Sequence, residues 1–342
     1  MANVANNSIA ATYSGAQLNE LFYEPVFRSD DIMNNYRVIP NVKHKMNVYT
    51  SAALTKIVAK YDGCSATSGS TQFNIDDKVI TAGRMRVALE QCTDEFFGTY
   101  IEEMYRNGAD VMNVEGTQLA DAIVNRATKG IAQDVVRLAW GDDTSLTGAS
   151  AVAGYGNMDG WMKLMGAGSA PRFTVDAATD NEPTSSEVIT ALRKLYDESP
   201  AALQQVAAAD KRFFVTPLVF NKYLQNLEGT SADLAITNTQ DGYQIVKFRG
   251  VQVIPMYEWD TILADTDPSL FANTAGGVTT NYTQGICYTS VDNLIIGSDV
   301  TDPQGSFKVF YDDLEEKMFF RGYFKLGVQY LFDSLYKWAI FI

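Results

Sequence analysis

The chain has 342 residues, 46% of them apolar and 12% aromatic, so there is ample material for a buried core and for two or three subdomains. A formal net charge of -14 argues against a protein that grips duplex nucleic acid, because displacing counterions from phosphates takes Lys and Arg. Cys64, Cys92 and Cys287 are too few and too widely spaced for a disulfide framework or a zinc site, so they read as free thiols.

No Lys or Arg precedes Arg28 and no apolar run approaches a membrane span, so neither a signal peptide nor a transmembrane segment is expected; the protein should be made and kept in the cytosol. Residues 1 to about 45 are rich in Asn, Ala and Ser and contain Pro25 and Pro40. They read as an extended arm, or equally as an ordinary N-terminal strand packed on its own domain. From Met46 to Cys92 the pattern predicts a long hairpin whose tip, Gly63 to Gln72, is polar and Gly-rich and has no core of its own to join. Thr93 then caps a helix starting DEFFGTYIEEMY.

The best-marked element follows, a helix over 117–140 flanked by Gly116 and Gly141. Thr117 can cap its first turn, Gly141 suits a left-handed stop, and Leu119, Ile123, Ala127, Ile131, Val135 and Leu138 form one apolar stripe. Asp121, Asn125, Arg126, Lys129 and Gln133 fill the other faces. Beyond it, GDDTSLTGASAVAGYGNMDGWMKLM reads as flexible loop, and residues 176–184 as a boundary.

In the second half, SSEVITALRKLYDESP predicts a helix with Val188, Leu192 and Leu195 inward, and RFFVTPLVFNKYLQNL a strand leading into a helix with Pro217 at its first position. Gly250 marks a tight turn between two strands in YQIVKFRGVQVIPM, and ICYTSVDNLIIGSD reads as a further strand pair, giving a mixed sheet flanked by helices. The C-terminal stretch alternates over an unusual length: Met318, Phe320, Phe324, Leu326, Val328 and Tyr330 share one face of a strand, and Arg321, Tyr323, Lys325 and Gln329 the other. Gly322 and Gly327 would permit bends or a bulge there, and YKWAIF reads as a last short strand.

Reaction chemistry is not evident. His44, the single histidine, sits between two lysines and reads as an exposed loop residue, not a catalytic base. Neither GAGSAP nor GYGNMDG has phosphate-loop spacing, and adjacent carboxylates such as Asp142 with Asp143, Asp312 with Asp313 and Glu315 with Glu316 read as solvated pairs. No calcium-loop pattern occurs. Trp140, Trp161, Trp259 and Trp338 are scattered along the chain and are best explained by core packing. The sequence therefore nominates no catalytic, cofactor-binding or metal-binding residue.

The order of elements carries more than any motif. VNRATKGIAQDVVRLAWGDD followed by DGWMKLM, LRKLYDESPAAL leading to RFFVTPLVFNKYLQNL, FRGVQVIPM, and NLIIGSD before FFRGYFKLGVQY together resemble the major capsid proteins of tailed bacteriophages, with the α+β Hong Kong 97 fold, over nearly the whole chain. The resemblance implies an N-terminal arm over 1–47, a projecting E-loop hairpin over 48–92 and a peripheral domain over 93–184 containing the spine helix. An axial domain over 185–298, a mixed sheet flanked by helices, and returning C-terminal strands over 299–342 complete the set.

It also implies a structural protein, not an enzyme, and one without a cofactor. Copies would assemble as hexamers and pentamers into an icosahedral shell around double-stranded DNA, without sequence-specific contact. Portal, scaffold or decoration proteins would be partners, no membrane would be involved, and the virion capsid would form in the cytoplasm of a bacterial host. The same fold serves encapsulin nanocompartments, which enclose an enzyme cargo, and a soluble enzyme of unknown type is a remoter alternative. Some members of the family crosslink an E-loop lysine to a neighbour's asparagine, but no local motif singles out Lys56, Lys60 or Lys78 for that role.

Overall fold

The computed structural model describes residues 10–13, 32, 34–51, 75–92, 118–146, 154–167, 171–177, 182–230, 236–240, 243–275, 278–299, 307–312 and 317–342. The expected helix after Thr93, the hairpin tip from Gly63 to Gln72, and Cys64 lie outside these residues.

In chain order the elements are β1 (Ala10–Tyr13), β2 (Arg37–Ile39), β3 (Lys45–Ser51), β4 (Ile75–Thr81), β5 (Gly83–Cys92), α1 (Gln118–Gly141), α2 (Trp161–Gly166) and β6 (Arg172–Val175). Then come α3 (Ser185–Asp197), α4 (Ala201–Gln205), β7 (Lys211–Val215), α5 (Pro217–Thr230), β8 (Ile236–Gln240), β9 (Tyr243–Phe248), β10 (Val251–Pro255) and α6 (Glu258–Thr266). Last are β11 (Ala272–Ala275), β12 (Val278–Asn281), β13 (Gln284–Ser290), β14 (Leu294–Ser298), β15 (Phe307–Asp312), β16 (Lys317–Tyr330) and β17 (Tyr336–Phe341).

Two larger sheets organise them. One has the order β1-β15-β16-β14-β2, with β5 pairing along the free side of β16; the other runs β6-β17-β13-β7-β10-β9-β8 and is mixed, with β7/β10 and β6/β17 parallel. The central strands β7, β13 and β17 of the second sheet are buried on both faces, which their period-two alternation makes explicit. Phe213, Val215, Ile286, Tyr288, Ala339 and Phe341 pack with α3 and α5, whereas Phe214, Cys287, Trp338 and Ile340 point the other way, toward α1 and α6.

The α1 stripe is borne out where side chains are described: Ala127, Ile131, Val135 and Leu138 are buried, while Lys129 and Gln133 face solvent. Also as expected, Val188, Leu192 and Leu195 point inward from α3. Thr184 and Glu187 close a capping box at its start, Pro217 opens α5, and Arg249 and Gly250 both have positive φ in the β9–β10 turn.

At the heart of the molecule the four tryptophans come together. Trp140 packs edge-on against Trp161, Trp259 and Trp338 at 4.9, 5.0 and 6.1 Å between ring centroids, and Trp259 stacks on Trp338. Tyr36, from the stretch expected to be an arm, stacks between Trp161 and Phe214 and accepts a 2.9 Å hydrogen bond from Trp140 Nε1. Ile32 and residues 34–42 are therefore packed on their own fold: Ile32, Tyr36 and Val42 are buried, and β2 lies parallel to β14.

Several sequence expectations are corrected. Gly141 is the last residue of α1 and has no left-handed conformation; a Cβ there would overlap Ile262 Cγ2 and stand 2.8 Å from Cγ1, so the glycine permits close approach of α6. Gly327 makes no bulge, since β14 and β16 pair in unbroken register through it; its added Cβ would meet the Thr81 carbonyl oxygen at 2.6 Å, again a close crossing. The strands in ICYTSVDNLIIGSD do not pair with each other: β13 joins the seven-stranded sheet and β14 the six-stranded one. The long hairpin divides at Ala82, with β4 pairing β3 and β5 pairing β16. Finally, WMKLM is no loop but the buried helix α2, with Trp161, Met162 and Met165 in the core.

Candidate functional site

Asp142 shows how the segment after α1 is held. Read from sequence as one of a solvated pair, it is instead fully buried. Its carboxylate accepts the backbone N–H groups of Asp143 at 3.0 Å, Asn157 at 3.2 Å, Met158 at 2.9 Å and Gly156. Gly154 and Gly156 have positive φ, and this left-handed backbone turns successive amides toward one point. The glycine-rich stretch is thus a cradle for an internal carboxylate. Burial pushes the Asp142 carboxyl upward and the four amides pull it down; the net position is above the usual carboxylate value.

Beside it, Lys163 from α2 donates to Asp143 Oδ1 at 2.6 Å, Asp159 Oδ1 at 2.7 Å and Thr144 Oγ1 at 3.1 Å. Burial alone would raise both carboxyls, but the lysine and the neighbouring hydroxyl and amide donors outweigh it and hold them below their ordinary values. Arg137 lies over the Tyr155 ring at 4.6 Å and donates to Asp134 at 3.0 Å. The carboxylates of Asp142, Asp143 and Asp159 and the Lys163 ammonium are all engaged within the fold, so their chemistry is that of a clamp joining α1 to α2.

What faces outward is the β3–β4 hairpin. The register Asn47↔Val79, Tyr49↔Asp77, Ser51↔Ile75 puts Tyr49, Ile75 and Val79 on one face, and Met46↔Ile80, Val48↔Lys78, Thr50↔Asp76 on the other. The second face rests on the chain itself: Ile80 is buried against Val42, Ile295 and Leu331, and Lys78 lies 3.5 Å over the Tyr330 ring and 3.7 Å from Asp333. Among the described residues, the first face covers nothing. Tyr49 is 70% exposed and Ile75 63%, an apolar surface on a ribbon otherwise bearing Asn, Asp and Ser.

His44 is exposed beside this hairpin. Among the described residues no group of three His, Cys, Asp or Glu could hold a metal ion, and no helix is long and apolar enough to cross a membrane. Cys287 is a buried free thiol whose burial pushes its pKa well up. The Asp142 cradle was missed in the sequence because its donors are backbone amides, and the paired glycines of GYGNMDG were the only trace it left.

No family model matches the sequence, and no curated protein matches it. The fold, in contrast, is similar to solved capsid structures. The capsid of the cyanophage P-SCSP1u is 13% identical with a TM-score of 0.52, over 91% of this chain and 87% of the other. The capsid of an empty GTA particle is 13% identical with a TM-score of 0.54, over 91% and 95%. The procapsid of satellite phage P4, a structure that includes the size determination protein Sid, is 9% identical with a TM-score of 0.52, over 94% and 98%. At such identities the likeness is one of fold: the chain has the α+β fold of phage capsid proteins, as the Hong Kong 97 resemblance implied.

Proposed function

We propose that this chain is the shell-forming subunit of a phage capsid, assembling as hexamers and pentamers into an icosahedral shell that encloses double-stranded DNA. The observation that carries the reading is the capsid-like fold over about nine-tenths of the chain, 91% for two of the structures above. The distribution of chemistry supports it. Polar groups near the end of α1 are consumed in internal clamps, and Tyr49, Ile75 and Val79 expose apolar surface together on one face of the β3–β4 ribbon, as a protein that works through surfaces needs.

In this reading 1–47 form the N-terminal arm, with Ile32 and residues 34–42 anchored on their own fold. Residues 48–92 form the E-loop, 93–184 the peripheral domain with the spine helix, 185–298 the axial domain and 299–342 the returning strands. The hairpin extends over an adjacent subunit, which covers Tyr49 and Ile75. The role is structural, without catalytic residues or a cofactor. An acidic subunit leaves packaged DNA to its own cations, and portal, scaffold or decoration proteins complete a virion formed in the bacterial cytoplasm.

Sedimentation of the protein expressed alone and with candidate scaffold genes from its own locus tests this. Particles or capsomers of five and six copies are expected. A monodisperse monomer under all these conditions would refute the reading, and shells carrying an enzyme cargo would reassign it to a nanocompartment.

A further inference from the structure

The outer face of the six-stranded sheet carries positive charge that is out of keeping with the chain as a whole. In β5, Arg84 and Arg86 face solvent while Met85 between them is buried. In β16, Arg321 and Tyr323 face outward and Lys325 is half-buried, alternating with buried Phe320, Phe324 and Leu326. The antiparallel register sets Arg84 opposite Lys325, Arg86 opposite Tyr323 and Ala88 opposite Arg321. Four cations therefore lie on three alternate, same-face rungs of one ladder about 7 Å apart along the strands, with Arg84 and Lys325 about 5 Å apart across them.

Like charges directly opposite on a sheet oppose folding. Lys325 is partnered within the fold, its backbone N–H donating to the Asp299 carboxylate at 3.2 Å, but among the described residues little offsets Arg84, Arg86 and Arg321. Lys325 Nζ donates to the Lys43 carbonyl at 2.6 Å. The Arg84 guanidinium lies 4.8 Å from the Tyr323 ring centre, and that of Arg321 lies 4.8 Å from Phe319 and 5.6 Å from Phe310. Rings hold a cation but do not neutralise it. The nearest carboxylate outward along β5, Glu90, is matched instead to Lys317 at 3.8 Å. Among the described residues, Arg84, Arg86 and Arg321 form no ion pair, although the chain has 41 Asp and Glu against 27 Lys and Arg.

We propose that this cation ladder is a docking surface for a carboxylate-bearing face of a second copy of the chain; the proposal rests on the shell reading and names one contact within it. A copy supplies what the ladder lacks, since its net charge is -14. The guanidinium forks of Arg84 and Arg321, held over rings, suit bidentate carboxylates, and Tyr323, 37% exposed between them, adds an apolar contact. A DNA duplex suits the ladder less well, because four cations on a strongly acidic subunit release few counterions against a repulsive background.

The test replaces Arg84, Arg86 and Arg321 together by Gln, and in a second variant by Lys, and follows subunit association by mass photometry while salt is raised from about 50 to about 500 mM, where screening removes such contacts. The Gln variant should melt at or above the wild-type temperature, since like-charge repulsion is gone. It should need about ten-fold more protein to assemble and lose most of the salt dependence, whereas the Lys variant retains that dependence. Assembly of the Gln variant at wild-type concentration and salt dependence would overturn the proposal. So would unchanged assembly with lost binding to a duplex DNA fragment, which would assign the ladder to phosphates. A wild-type chain that stays monomeric throughout overturns the shell reading, and this contact with it.

Discussion

Replacing Asp142 with alanine removes the acceptor that four backbone amides share, and the structure indicates what each loss costs. Met158 is buried, so its orphaned N–H bears the full penalty of an unmade hydrogen bond, about 1–3 kcal/mol. Gly156 and Asp143 are half-buried and add about 1 kcal/mol between them once water partly compensates, while exposed Asn157 rehydrates at little cost. Removing a carboxyl that burial disfavours recovers part of this, leaving a net loss of about 1–3 kcal/mol, which for a chain of 342 residues is roughly 1.5–4 °C in melting temperature. Asp142→Asn should not rescue, because its amide nitrogen would face another donor. Asp143→Ala, on the exposed side of the same pair, should cost under about 1 kcal/mol. Scanning calorimetry of the three variants decides the matter. If Asp142→Ala and Asp142→Asn both melt within about a degree of wild type, the cradle is not holding the segment and the argument fails.

Gly141→Ala forces a methyl into Ile262 and should destabilise by about 1–3 kcal/mol despite alanine's better helix propensity, with partial recovery in Gly141→Ala/Ile262→Ala; thermal melts check both. Ile131→Asp buries a charge beneath α1 and should cost about 4 kcal/mol or more, read as lost soluble yield or a lowered melting temperature. Asp143 and Asp159 have folded pKa values below the ordinary 3.8, so the stability they confer is present above that pH and disappears as pH falls through their folded values. Lys163→Met should flatten that acid limb of the melting curve. Tyr49→Asp/Ile75→Asp alters only an exposed face, so melting should stay within about 1 °C of wild type while assembly fails, as judged by sedimentation.

Local signals made much of this fold legible. The α1 stripe, the alternation of β16, Pro217 and Gly250 each set backbone geometry through nearby residues, and each appears where the pattern placed it. Long-range partnership was not legible. Both β13 and β14 are buried on two faces, so their apolar runs carry no sign of which sheet each joins. Tyr36 looked like part of an arm because its ring partners, Trp161 and Phe214, lie 125 and 178 positions away. The Arg84–Arg86 alternation was visible, but its meaning depends on Arg321 and Lys325 opposite it, more than two hundred residues later. The Asp142 cradle had no side-chain motif because its donors are amides, and the two acidic residues in sequence looked alike although one is buried and the other partly exposed.

Electron microscopy of the assembled protein tests the central reading most directly. The account predicts closed shells of hexamers and pentamers, with the Tyr49–Ile75 face of each β3–β4 hairpin covered by a neighbouring subunit. Particles in which that face stays exposed, or a preparation that yields only isolated subunits, would contradict it.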